Sequence, residues 1–287
     1  MSANATTAQS HGAPSNPLGA IFRYGLCILA AIFMLIPILT AVIGGFKQRG
    51  QLMAHPFAWP SPFITTNYTT ILQMSSFWQM LLNSLLVTLS TALLTLGVAS
   101  SAAFVFARLQ FRGRDAIATF FMLGLLFPTT IAILPIYILV RKLGLVDSLW
   151  GIILPQVAFM LPIAILILRT FFVSIPRELE DAAYVDGASS FEFFTRILLP
   201  LAKPGLAAVA VLTIVQSWNN FFLPLIVLNS EAKYTLPLGV MQFSGQYSRD
   251  WAMILAFVTL AMIPAVIFYL IAERHIIAGL TAGAIKG

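Results

Sequence analysis

Charge is what this chain has least of: 16 basic and 10 acidic residues among 287, about 9% of the total. Hydrophobic residues make up 59%, and the mean hydropathy is +0.92. A water-soluble chain could not solvate that much hydrocarbon, so the bulk solvent here is a bilayer. With one cysteine, Cys27, there is no internal disulfide, and its apolar surroundings suggest a buried, inert thiol. No G-x-x-x-x-G-K-[ST] phosphate loop occurs, so the chain does not bind ATP in that manner. H-E-x-x-H, paired cysteines and clustered histidines are also missing; His11, His55 and His275 are isolated. No catalytic residue and no metal site is therefore expected. The net charge of +6 is spread over loops without a basic, aromatic-laced patch, which argues against a nucleic-acid partner.

What is present is a series of long apolar runs. The small, polar residues 1–17 contain no Lys or Arg and read as a disordered tail rather than a secretory signal, and the run that follows is too long for a signal core, so it reads as an uncleaved span. A helix needs about 20 apolar residues to cross the hydrocarbon. Six spans meet that length, at about 21–46, 80–107, 116–140, 148–172, 204–229 and 251–272. The expected class is an all-α membrane protein of six transmembrane helices. Pro37, Pro128, Pro135, Pro155, Pro162, Pro224 and Pro264 fall inside the runs and predict kinked or broken helices. With the N-terminus inside, ten Lys and Arg lie on the inner side and six on the outer, which favours cytoplasmic N- and C-termini. A multi-pass cell-membrane protein, in contact with lipid, follows.

The scarce charge is concentrated: 8 of the 26 charged side chains fall within residues 177–203. The spacing there predicts two short helices joined at a glycine. Pro176 suits a helix start, and Glu178, Glu180 and Asp181 place negative charge at the positive end of its dipole. Leu179, Ala182, Ala183 and Asp186 follow helical spacing and share one face, whose alanine centre would let another protein approach the backbone. Gly187 permits a left-handed turn, and Ser189 with Glu192 forms a capping-box pattern. Phe191, Phe194 and Leu198 then make an apolar stripe opposite the Glu192–Arg196 pair, before Pro200 and Pro204 end the helix.

This segment resembles the EAA loop of ABC-importer permeases, whose pattern is E-A-A, three residues, G, nine residues, I-x-L-P. Asp181, Ala182, Ala183, Gly187, Ile197, Leu199 and Pro200 meet every spacing, with Asp181 replacing the family's glutamate. NSLLVTLS at 83–90, SWNNFFLPL at 217–225, YTLPLGVMQF at 234–243 and GLTAGAIKG at 279–287 are similar to the carbohydrate, MalG-like branch. The resemblance implies the type I importer permease (MetI-like) fold and a role in importing a sugar or oligosaccharide. It also implies four partners: a second, MalF-like permease subunit, two ATP-binding cassette ATPases and an extracytoplasmic solute-binding protein. ATP and magnesium would be bound by the ATPases, this chain carrying no cofactor. The 173–203 loop would seat in an ATPase through Glu180, Asp181, Ala182, Ala183, Asp186 and Gly187, and Gly279, Leu280, Gly283 and Lys286 of the 273–287 tail would reach it too. Tyr247 and Arg249 correspond to a segment that reaches toward the binding protein.

Gln216, Asn219 and Asn220 stand deep in the fifth span, Asn219 roughly 22 Å along it from Pro204. Such amides pair with neighbouring helices or with sugar hydroxyls, so they are candidates for a translocation path, with Asn83 and Gln156 weaker ones near the outer ends of their spans. A polyol or glycerol phosphate importer is an alternative. An ion-coupled secondary transporter would need an intramembrane carboxylate or histidine, and every acidic residue lies outside the six charge-free runs. A membrane-embedded enzyme would need an acid, base or metal set in the same place.

Overall fold

The computed structural model describes residues 17–243 and 250–284, and every regular element among them is helical. In chain order these are α1 (Pro17–Gly45), α2 (Arg49–Ala54), α3 (Thr66–Gln73), α4 (Ser75–Arg108), α5 (Arg114–Leu123), α6 (Thr129–Lys142), α7 (Trp150–Ser174), α8 (Glu178–Val185), α9 (Ser190–Leu201), α10 (Lys203–Trp218), α11 (Phe222–Val227), α12 (Leu236–Gly239) and α13 (Trp251–Ala284). Among the described residues α1, α4, α7 and α13 are each long and apolar enough to cross a bilayer. Two bent pairs, α5–α6 at 105° and α9–α10 at 76°, bring the possible crossings to six.

Proline explains where the expected spans break. The stretch 116–140 is not one straight helix: a 3-10 turn at Gly124–Leu126 gives way to extended Phe127, and α6 starts after Pro128. A residue before proline is pushed out of the helical region, so the chain turns there. The stretch 204–229 breaks as well. α10 ends at Trp218, and Pro224 has no N–H for the Asn220 carbonyl and clashes with it, so a new helix, α11, begins only at Phe222. Pro37, Pro135, Pro155, Pro162 and Pro264 instead lie inside continuous helices. α13 runs on to Ala284, well past residue 272, where the sequence suggests the start of a tail.

The bundle is built on α4 and α7, which pack along each other, with α10 against α4 and α13 against α10. Buried Ala99, Ala103 and Ala164 allow the close approach of backbones that membrane helices need in place of a hydrophobic driving force. One apolar cluster joins Phe104 of α4 and Leu168 and Phe172 of α7 to Ala183, Phe193, Phe194 and Leu198, so the charged loop shares the core of the bundle. A second cluster, near the other end of α7, joins Ile152 and Val157 to Val140 of α6 and Val227 of α11. α1 contacts chiefly α13 and is exposed over most of its length, only its last turns, Ala41, Gly44 and Gly45, being buried. Cys27 is accordingly exposed rather than buried, because the run that holds it faces outward. Side chains of α3 finish α1: Asn67 Nδ2 donates to the Gly45 and Lys47 carbonyls (2.8 and 3.0 Å) and the Tyr68 hydroxyl donates to Val42 O at 2.8 Å.

Candidate functional site

Local chemistry shapes the 177–203 loop. Gly187 has φ +85°, the left-handed conformation that ends α8. The Glu192 N–H donates to Ser189 Oγ at 3.2 Å while the Ser189 N–H donates to Glu192 Oε2 at 3.0 Å, closing the capping box at the start of α9. The Ser189 N–H, then its hydroxyl, then Arg196 at 3.3 Å hold the Glu192 carboxyl below the usual carboxylate range. Phe193–Leu198 winds as a π-helix, which turns Phe193, Phe194 and Leu198 into the core.

An arginine that the sequence gives no reason to single out fastens this loop to the bundle. Arg108, the last residue of α4, reaches Glu180 of α8 across 72 residues, Nη1 to Oε2 at 3.3 Å. Its Nη2 donates to Phe172 O at 2.6 Å and Ile175 O at 2.8 Å, at the free carbonyl end of α7. The Tyr184 hydroxyl donates to Glu180 Oε1 at 3.0 Å. The Arg108 and Glu180 side chains are 2% and 12% exposed, so one guanidinium ties α4, α7 and α8 together out of water.

The face of α8 differs from the expected one. Leu179, Ala182 and Asp186 point outward with Asp181, but Ala183 is buried against the bundle and Glu180 turns inward to Arg108. The outward surface is completed by Val185, 87% exposed, and by Phe191, 72% exposed and thus not part of one stripe with buried Phe194 and Leu198. Ile197 and Leu199 are half-buried beside the core and Pro200 is exposed. The exposed apolar residues at the tip therefore sit beside two carboxylates, Asp181 and Asp186.

Near the other end of α7 a cavity of about 280 Å³ opens between α6, α7, α10 and α11. The break after Trp218 brings Gln216, Asn219 and Asn220 to its wall, opposite Gln156 of α7. Asn219 Nδ2 donates to Val215 O at 2.9 Å, and Asn220 Oδ1 accepts from the Leu223 N–H at 3.2 Å, serving one free amide of α11. Gln156 and Ser217 are buried with unpartnered polar side-chain atoms. Asn83 does not join them. Its Nδ2 donates to Ala232 O and Tyr234 O, both at 2.9 Å, and its Oδ1 accepts from Gln79, so the amide is fully engaged in holding the 228–236 segment to α4.

On the same side of the molecule as the cavity, Asp147 (φ 55°) clasps the loop after α11. Its carboxylate accepts from the Ser230 hydroxyl at 2.6 Å, the Ser230 and Asn229 N–H groups at 2.9 and 3.0 Å, and Lys233 Nζ at 3.0 Å. These bonds, the Ser230 hydroxyl foremost, hold it far below the usual carboxylate range. Tyr247, Arg249 and Lys286 lie outside the described residues. Gly279, Leu280 and Gly283 fall on the last turns of α13.

A bundle of long apolar helices broken beside a largely apolar cavity that carries four amide side chains, with an exposed apolar tip on a loop anchored to the bundle, is the architecture expected of a membrane transport subunit. Comparison with known proteins places it further: residues 94–281 match the family of binding-protein-dependent transport system inner membrane components, and the chain belongs to that family. It is 32% identical over 279 residues to the arabinooligosaccharides transport system permease protein AraQ of Bacillus subtilis, covering 95% of this chain and 99% of that one. It is 36% identical over 230 residues to the trehalose transport system permease protein SugB of Mycobacterium tuberculosis, covering 79% and 84%. Among solved structures, a chain of a bacterial ABC transporter that imports the acidic polysaccharide alginate aligns with a TM-score of 0.80 at 21% identity, over 93% of this chain and all of that one. A chain of the MetNI methionine ABC transporter aligns at 0.51 and 18% identity, over 71% and 94%. The fold is that of type I ABC-importer permeases, and the protein is a multi-pass membrane protein.

Proposed function

We infer that the chain is the transmembrane permease half of an ATP-driven importer that moves a sugar or oligosaccharide into the cytoplasm. The names of its relatives support the substrate class: AraQ, SugB and the multiple sugar-binding transport permease MsmG of Streptococcus mutans, 32% identical, all serve sugars. The carrying observation is the α8–α9 loop, whose outward tip is free while its root is locked to α4 and α7 through Arg108 and Glu180. Such a loop transmits displacement instead of absorbing it. In this reading the tip, Asp181, Ala182, Val185, Asp186 and Phe191, seats in a cytoplasmic ATPase, which binds ATP and Mg²⁺. Closure of two such ATPases biases the bundle toward one pore state, the only way a ligand of another chain can drive it. A second permease subunit completes the pore and a solute-binding protein delivers the sugar from outside. Both termini then lie in the cytoplasm, with Gly279, Leu280, Gly283 and Lys286 beside the ATPases and Tyr247 and Arg249 toward the binding protein.

The test is Val185→Asp. Val185 touches little of its own chain, so the variant folds with an unchanged thermal midpoint but co-purifies with the ATPases at about one-tenth of the normal yield, a loss of roughly 1.4 kcal/mol in docking. Normal co-purification together with normal ATP-driven uptake would remove this face from the docking surface.

A further inference from the structure

The connection from α1 to α3 lies outside the spans, yet its tip is apolar, exposed and rigidly held. Phe57 and Trp59 are 83% and 73% exposed, and Met53 and Phe63 to either side are exposed as well. Their backbone is tied inward. Lys47 is fully buried, and its Nζ donates to His55 O at 3.0 Å and Pro56 O at 2.8 Å, the two carbonyls that precede Phe57. The Ala58 N–H donates to His55 O at 3.3 Å, and Gln51 Nε2 donates to Trp59 O at 3.4 Å. The stacked rings of Phe46 and Phe63, 4.4 Å apart, and the Ile64 N–H on Phe46 O at 3.0 Å close the base.

α2 fixes the height of this tip. A Cβ on Gly44, near the end of α1, would lie 3.5 Å from Leu52 of α2 and 2.4 Å from Leu255 of α13, so the two leucines converge there. Leu255 stands roughly 6 Å inside α13 from its start at Trp251. Leu52 is thus level with the outermost turn of a membrane-crossing helix, and the chain just beyond it stands where hydrocarbon gives way to headgroups. Phenylalanine and tryptophan favour that zone, which takes their rings and leaves the indole N–H within reach of water and phosphate. Residues 46–65 include Lys47, Arg49 and His55 but no Asp or Glu, so no carboxylate there repels lipid phosphate. We propose that the 53–63 segment is an interfacial lipid anchor, with Phe57 and Trp59 inserted at the headgroup–acyl boundary of a phospholipid leaflet. In the orientation inferred above, on which this assignment of side rests, it is the outer leaflet. Because the backbone is pre-formed, insertion orders little beyond the two rings.

The test places a nitrobenzoxadiazole probe on exposed position 58, through Ala58→Cys with Cys27→Ser, in an importer whose other subunits carry no free thiol. In phospholipid nanodiscs, nitroxides on the lipid headgroup or high on the acyl chain quench the probe strongly, and aqueous iodide quenches it weakly. Adding Phe57→Ser and Trp59→Ser raises iodide quenching about fivefold and removes most of the nitroxide effect. Should that variant not assemble, the pattern of its parent decides alone. Strong iodide quenching with both rings in place would overturn the anchor. So would shielding from iodide that appears only once the solute-binding protein is added, which would assign the tip to protein docking. None of these readings needs sugar or ATP. An importer that keeps the quenching pattern but takes up no sugar would refute sugar import and leave the anchor standing.

Discussion

Replacing Arg108 with methionine keeps most of the side-chain volume at the end of α4 and deletes only its charge and hydrogen bonds. Three contacts vanish at once, to Glu180 Oε2 and to the carbonyls of Phe172 and Ile175. Glu180 is left nearly buried with the Tyr184 hydroxyl as its remaining partner. Breaking a buried pair from one side costs about 3–5 kcal/mol, which for a chain of this size lowers the thermal midpoint on the order of 10 °C. Adding Glu180→Met removes the stranded carboxylate. The double variant should therefore be more stable than Arg108→Met alone, the residual deficit of roughly 1–3 kcal/mol coming from the two α7 carbonyls. Midpoints of the detergent-solubilised complex, read for both single variants and the double, close the cycle. A double variant as unstable as the two singles summed would show that Arg108 and Glu180 do not depend on each other, and the clasp would not be what holds α8.

Asp147 makes stability of the 228–235 segment depend on acid. Its folded pKa lies below the unfolded value, so its contribution is complete above the unfolded pKa of about 3.9 and declines as pH falls through the folded one. Limited proteolysis of this segment should be flat from pH 8 to about pH 5, whereas Asp147→Asn should be cut faster throughout that range. Gly151 begins α7 beneath the Leu145 carbonyl, and a methyl group there would sit 2.3 Å from that oxygen and 3.0 Å from Val227. Gly151→Ala should cost about 1–3 kcal/mol of thermal stability, while Gly97→Ala, in open space on α4, should gain up to about 1 kcal/mol.

The features legible in the sequence were those that nearby residues decide. Ser189 and Glu192 stand three apart and cap each other, Gly187 takes the left-handed turn, and the apolar runs give the long helices. The pattern could not say which side of α8 faces in, because Leu179, Ala182, Ala183 and Asp186 share spacing whether the partner is the bundle or another protein. Burial of Ala183 is decided by Phe104 and Phe172, and the inward turn of Glu180 by Arg108, all distant in sequence. The proline at 224 signalled a break, yet placing it at 219–221 required counting back to the carbonyl that proline cannot serve. Asn83 looked like a path residue because an amide within an apolar run has no visible partner; its partners are two carbonyls about 150 residues away.

α7 connects the loop to the cavity. It carries the Phe172 carbonyl that Arg108 holds and, sixteen residues earlier, Gln156 at the cavity wall, roughly 24 Å apart along a helix. A push on α8 is not lost at the joint, because Arg108 and the buried Phe193, Phe194 and Ala183 fix α8 to α4 and α7 together. Between the two ends stands Pro162, which removes the bond to the Ala158 carbonyl and packs against Gly124, where an added Cβ would lie 2.9 Å from its ring. α7 is thus weakened at two points, at Pro162 beside the bend that joins α5 to α6, and at Pro155, next to Gln156, where the bond to the Gly151 carbonyl is lost. In the proposed function, motion imposed at the loop would therefore bend α7 at these two prolines, the second of them at the wall of the cavity formed by α6, α7, α10 and α11.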